Sequence, residues 1–357
     1  MPRDLATLPK AHLHLHFTGS MRPNTLAELA TLHRVRLPFA LQPEALGDPV
    51  SATLALPTPE WTPDRRGWYR FQRLYDVARQ VIRTDDDARR LVLEAAEDDA
   101  REGSGWLELQ VDPSGYAGRW GTLSDTLETV LDAARDAAAV TGVGIGIVVG
   151  ANRTRHPLDA RALARLAARH AGVAANVGVV GFGLANDERA GVTADFAPAF
   201  RIARDAGLAC VPHAGELLGP DSVRACLQHL TPSRLGHGVR AAEDPRLLDQ
   251  LAERGIACEV CPASNVSLGV FAEAAEVPLR AMVEAGVRVA LGADDPLLFG
   301  SRLLAQYHLA RAVHGFDDAG LAGLAASSVR ASLAPEQIKQ RLLSGIAAWL
   351  AAPDPTS

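Results

Sequence analysis

The sequence predicts a (β/α)8 barrel, and three observations carry that expectation. Short apolar runs alternate with longer Ala/Leu/Arg-rich stretches in which apolar residues recur every three or four positions. Eight such runs can be read, enough for a parallel sheet to close on itself with helices outside. Five of the runs end in ionisable residues, where barrel enzymes place their chemistry. A doubly wound open sheet is the competitor, but no G-x-G-x-x-G follows the first run.

The first run covers residues 11–17, Ala11-His12-Leu13-His14-Leu15-His16-Phe17. Side chains alternate along a strand, so His12, His14 and His16 are expected on one face. Next comes a proline-rich stretch over residues 37–63, which runs into Trp61, Arg65, Arg66, Trp68, Tyr69, Arg70 and Phe71 before helix resumes. It falls between the first two strands, on the active face of a barrel, and predicts a lid over residues 37–75. The other runs are residues 106–112, 143–150, 179–185, 208–213, 234–238, 256–262 and 287–294. Residues 159–170, opening on a capping acid, and residues 193–206 read as connecting helices. No internal repeat or low-complexity linker divides the chain, so one domain over residues 1–357 is expected.

Of the 357 residues, 48% are hydrophobic and 22% charged, ample material for a core. The net charge of −6 argues against nucleic-acid and membrane partners. No segment reaches the roughly 18 apolar residues of a membrane span, and residues 1–10 lack the apolar part of a signal peptide. A cytoplasmic protein is expected. The cysteines (Cys210, Cys226, Cys258, Cys261) do not form a disulfide framework. Cys258 and Cys261 match C-x-x-C, but three positions apart on a strand they face opposite ways and read as structural.

The polar strand ends can be set side by side. The first strand ends in His14, His16, Thr18 and Gly19, and the fourth in Asn186-Asp187-Glu188. The fifth gives His213-Ala214-Gly215-Glu216, the sixth Gly236-His237-Gly238 and the eighth Asp294-Asp295-Pro296. His14, His16, His213 and Asp294 make a nitrogen-and-carboxylate ligand set without thiolate. That suits one Zn2+ per chain, with iron, cobalt or manganese also tolerated. Such a site leaves a position open for water and lowers its pKa toward roughly 7. His12 lies one pleat too early and is expected to make a core hydrogen bond instead.

This constellation resembles the adenosine deaminase family of metal-dependent amidohydrolases. The resemblance runs from Leu8-Pro9-Lys10-Ala11-His12-Leu13-His14-Leu15-His16 to Gly292-Ala293-Asp294-Asp295-Pro296-Leu297. Between them stand Gly183-Leu184-Ala185-Asn186-Asp187-Glu188, Pro212-His213-Ala214-Gly215-Glu216, Arg234-Leu235-Gly236-His237-Gly238 and Glu259-Val260-Cys261-Pro262-Ala263-Ser264-Asn265. It implies that His14, His16, His213 and Asp294 bind the metal. It makes Glu216 the acid that protonates purine N1, His237 the group that orients the attacking water, and Asp295 the partner of N7. Burial beside an apolar ring would keep Glu216 protonated while Asp294 stays ionised. Related enzymes with two metals bridged by a carboxylated lysine are excluded, because no lysine lies between Lys10 and Lys339.

Two departures from the family pattern bear on substrate. Thr18 stands where an Asp usually contacts the ribose 5′-hydroxyl, and Asn186 where a Gly usually offers its backbone N–H to N3. Thr18-Gly19-Ser20, Asn186 and the Arg-rich lid look similar to the branch that deaminates aminodeoxyfutalosine, a menaquinone-pathway intermediate carrying a carboxyphenyl group at its 5′ end. Arg65, Arg66, Arg70 and Arg119 are candidate partners for that carboxylate, with Trp61, Trp68, Tyr116 and Trp120 for stacking. The expected activity is hydrolytic loss of the 6-amino group from adenosine or a 5′-modified adenosine. The alternatives are adenine deamination, or an inactive nucleoside-binding protein. The sequence does not decide the oligomeric state.

Overall fold

In a computed structural model that describes residues 2–46 and 65–353, nine strands follow one another along the chain. They are β1 (Lys10–His16), β2 (Ser104–Val111), β3 (Gly144–Asn152), β4 (Gly172–Ala174) and β5 (Val177–Ala185). Then come β6 (Ala209–Ala214), β7 (Arg234–His237), β8 (Ala257–Val260) and β9 (Val289–Leu291). All but β4 pair in parallel, in the order β1-β2-β3-β5-β6-β7-β8-β9, with helices between them. A bridge between Leu15 and Asp294 joins the last strand end to the first, supported by the His16 N–H donating to the Asp294 carbonyl at 3.0 Å. The fold is therefore the expected eight-stranded α/β barrel. The extra strand β4 is three exposed residues folded back antiparallel on β5, too short for apolar periodicity to reveal.

Several boundaries differ from expectation for identifiable reasons. The seventh barrel strand stops at Val260 because Pro262 opens the helix Pro262–Ser267. The eighth stops at Leu291, and Asp294 takes a left-handed backbone with φ 62°. The helix read at residues 159–170 is Pro157–Arg169, and its cap is the His156 ring, which accepts the Leu158 N–H; Asp159 lies in the first turn. Residues 193–206 split into a 3-10 turn, Thr193–Phe196, and a helix, Ala197–Asp205.

The largest correction is in β1. Register against β2 slips between His12 and Leu15, so one extra residue is accommodated there. His12 pairs with Leu107, whereas His16 pairs with Gln110, a residue of the cavity wall. The histidines therefore do not share one face. His12 Nδ1 lies 2.9 Å from Asp99 of the surrounding helix Asp85–Arg101, the structural role expected of it.

The barrel interior is filled partly by charge. The Trp106 ring occupies space that Gly144 and Gly146 leave open, since a Cβ on either would come within 2.9 Å of it. Above it Arg234 pairs with both Glu108 and Glu259, all three buried.

The lid stretch contributes a 3-10 turn, Phe39–Leu41, and a short helix, Pro43–Leu46. Trp61 lies outside the described residues. The helix Arg65–Gln80 extends past residue 75, the expected lid boundary. It seats Trp68 and Phe71 against Leu268 and Phe299, with the Phe71 and Phe299 rings stacked at 5.1 Å. Among the described residues no helix is long and apolar enough to cross a membrane.

Candidate active site

The barrel brings together the strand ends that the sequence singles out. His14 and His16 come from β1, His213 from β6 and His237 from β7, while Asp294 and Asp295 follow β9. The His14 ring centroid lies 4.7 Å from that of His213 and 4.8 Å from that of His237. His16 Nε2 is 3.3 Å from His213 Nε2 and 3.2 Å from Asp294 Oδ1. His237 and Asp294 at φ 60° and 62°, and Asn186 at φ 81°, hold left-handed backbones rarely taken by residues with side chains.

The donor set fits a metal ion. His14, His16 and His213 can each present a ligand atom within 4.8 Å of the others, and so can Glu216, His237 and Asp294. His14 Nε2 is buried without a hydrogen-bond partner among the described residues. A buried orphan nitrogen beside two more imidazoles and a carboxylate is a donor set that fits a divalent cation. Cys261 Sγ stands within the same distance of His14 and Asp294, a proximity that the strand-face reading of the cysteines missed.

These side chains are held from behind. His14 Nδ1 lies 2.8 Å from Glu259 Oε2, whose other oxygen accepts from Arg234 Nε at 2.7 Å. Arg234 also donates to Glu108, which accepts the Trp106 indole N–H at 2.9 Å. Burial pushes the Glu259 carboxyl up, but the Arg234 charge and the His14 contact carry it below its ordinary value. On the other flank Ser264 donates to Asp294 Oδ2 at 2.6 Å. Such partners fix ring orientation and tautomer.

Three titratable groups beside these ligands stand in different states. Burial, then the Asp294 charge, drives Glu216 well above the normal carboxylate range. The same two causes raise Asp295, and its Oδ1 is buried without a partner among the described residues. Burial and the neighbouring His14 bring His237 down to about 3, a neutral imidazole, with Nε2 3.4 Å from Glu216 Oε1. Gly19 makes room for Asp295, for a Cβ there would sit 1.8 Å from Asp295 Oδ1.

Glu188, visible in the sequence only as a strand-end acid, turns out to build the turn that carries Glu216. Its carboxylate accepts the backbone N–H groups of Gly215, Glu216, Leu217 and Leu218 at 2.6 to 3.0 Å, and the Ser222 hydroxyl. Four donors on one carboxylate freeze that turn.

A cavity of about 770 Å³, open at its mouth, lies over these groups. His16, His213, Glu216, His237, Asp294 and Asp295 line one end. Trp68, Phe71, Gln72, Tyr75 and Arg79 form a wall from a single face of the Arg65–Gln80 helix. Asn186 lines the cavity and donates through Nδ2 to Gln72 at 3.2 Å, tying β5 to that helix. Thr18 does not reach the lining; its hydroxyl lies 2.5 Å from the hydroxyl of Tyr116, which does.

Of the expected arginines, neither Arg70 nor Arg119 lines the cavity. Arg119 donates to the carbonyls of Arg79 and Ile82, and Arg70 is exposed. The side chains of Arg65 and Arg66 lie outside the described set. Of the aromatic candidates, Trp68 and Tyr116 line the cavity and Trp120 packs behind Tyr116. The sequence reading passed over Gln72, Tyr75 and Arg79. The 68-71-72-75-79 spacing, one face of a helix, was the available signal.

The adenosine deaminase family profile matches residues 9–349. A Streptomyces coelicolor protein called an adenosine/adenine deaminase is 61% identical over 98% of this chain and 99% of its own length. An aminodeoxyfutalosine deaminase of the same organism is 36% identical over 98% of this chain and 89% of its own. Among solved structures, adenine deaminase from Arthrobacter aurescens superposes with a TM-score of 0.84 at 28% identity, covering 96% of this chain and 99% of that one.

Proposed function

Because the chain belongs to the adenosine deaminase family, we propose that it is a metal-dependent hydrolase removing the 6-amino group of a purine nucleoside. The observation that carries this reading is the contrast among three neighbouring carboxyls. Asp294 is held well below its ordinary value, with the largest opposing push from burial overcome by His16, His237 and His14, while Glu216 and Asp295 are held well above theirs. One carboxylate suits a cation, and two carboxylic acids suit the edge of a heterocycle.

His14, His16, His213 and Asp294 would hold a zinc ion, which supplies a water activated for attack at neutral pH. The chain's own groups do the rest. As oxygen adds to C6, the ring's electrons move to N1, and the Glu216 proton passes to N1. Asp295, protonated, donates to N7, an acceptor that an ionised carboxylate would repel. Neutral His237 accepts a hydrogen bond from the attacking water and aligns it. Glu216, now a carboxylate, takes one proton from the added water and passes it to the 6-amino group; the C6–N bond breaks to release ammonia, and the second water proton returns to Glu216 as the C6 carbonyl forms. The Asn186 backbone N–H is assigned to N3.

Adenosine and a 5′-modified adenosine both fall within this proposal. The helix wall favours a ligand larger than free adenine. Streptomyces coelicolor has both the 61% relative and a separate aminodeoxyfutalosine deaminase, which favours distinct substrates for the two. The test is metal content together with loss of 6-amino absorbance. About one equivalent of metal and ammonia release that Glu216→Gln abolishes are expected. Metal retained with Glu216→Gln fully active would sink the acid assignment, and no metal would favour a nucleoside-binding protein.

A further inference from the structure

Arg79 is a cation with only a long, solvent-exposed ion pair among the described residues. Among the described residues lining the cavity it is the only arginine or lysine, and its side chain is 16% exposed. Its Nε is buried without a partner, and its guanidinium donates no hydrogen bond among the described residues. The nearest carboxylate oxygen, Asp76 Oδ1, is 3.9 Å away on a side chain half in solvent. Asp112 also lines the cavity and its charge acts on Arg79, but no ion pair joins the two among the described residues, and its Oδ1 accepts the backbone N–H and hydroxyl of Ser114. The guanidinium is nonetheless firmly placed. It lies 4.8 Å over the Tyr75 ring and covers Gly115 so closely that a Cβ there would be 3.2 Å from its terminal nitrogen.

Holding a guanidinium in place, largely out of water and with open donors, is unfavourable unless something arrives to pair with it. Its planar fork matches a carboxylate or a phosphate. It stands among Tyr75 on its own helix and Gly115 just after β2, and Tyr116 lines the same cavity. Thr18, at the position where the family's 5′-hydroxyl contact is expected, meets the hydroxyl of Tyr116, which lines the same cavity as Arg79.

We propose that Arg79 is the specificity-determining residue for an acidic group at the 5′ end of the nucleoside, a carboxylate or phosphate. The preferred substrate is then an anionic 5′-substituted adenosine rather than adenine or adenosine. This rests on the purine-deaminase reading above and narrows it.

The test compares adenosine, adenosine 5′-monophosphate and aminodeoxyfutalosine as substrates for the metal-loaded wild type, Arg79→Gln and Arg79→Lys. The wild type should favour at least one acidic substrate by about 10-fold or more in kcat/KM. Arg79→Gln should collapse that preference chiefly through KM, and Arg79→Lys should restore part of it. Which acid wins distinguishes phosphate from carboxylate. Because all three substrates share the purine, a misfolded variant lowers every rate and leaves the ratio intact. Adenosine matching both acids in the wild type, or an unchanged ratio in Arg79→Gln, overturns the proposal. Should no purine be turned over, the deaminase reading fails. Equilibrium binding of adenosine 5′-monophosphate against adenosine, with and without Arg79, then decides this proposal separately.

Discussion

The floor and the wall of the cavity are made in opposite ways. The floor draws His14, His16, His213, His237 and Asp294 from four strand ends, with His14 and Asp294 fixed by the buried partners Glu259 and Ser264. The wall comes from one face of one helix, seated by a small aromatic cluster and by single hydrogen bonds to Asn186 and Arg119. A floor held from several directions gives pre-organised chemistry that tolerates little change. A wall held through one face can vary without disturbing it. The difference assigns reaction type to the barrel and substrate choice to the insertion.

Substitutions in the two regions should separate kcat from KM. Glu216→Gln should have the largest effect, a fall in kcat of about 1,000-fold or more with thermal stability kept. Glu216 must be protonated to act, and its pKa is raised, so wild-type activity should persist above the range where an ordinary glutamate ionises. Activity should fall as pH climbs through the raised value, and a rate profile declining from pH 4.5 upward would contradict this. Glu259→Gln leaves His14 less firmly held and Arg234 half paired; metal retention measured against a chelator should weaken about 10- to 100-fold. Phe71→Ala loosens the wall, and there KM should rise about 10-fold with kcat changed less than about 3-fold. Thr18→Val removes only the hydroxyl that braces Tyr116, and a change in KM of about 3-fold is the expected limit. If Phe71→Ala lowered kcat as much as KM rose, floor and wall would not be independent.

The same division explains what could be read in advance. Floor residues sit at the ends of apolar runs, so strand alternation exposed them without any knowledge of contacts. The slip in β1 stayed hidden because Leu13 and Leu15 preserve the alternation on either side of the extra residue. Glu188 was visible as an acid at a strand end, but its role depends on four N–H groups some thirty residues further on. On the wall, nearness along the chain pointed to Arg65, Arg66, Arg70 and Arg119. Helical phase instead turns Arg79 inward with Trp68, Phe71 and Tyr75.

The closure between β1 and β9 gives the site a place in time. His14 and His16 leave the ribosome well before Asp294, with most of the barrel's strands made in between. The Leu15–Asp294 bridge that seals the barrel is thus also what delivers the last member of the proposed ligand set. A growing chain can assemble most of its parallel sheet while its histidines wait exposed. Binding of a cation by the whole proposed set and closure of the barrel would then coincide, neither possible before Asp294 has been made.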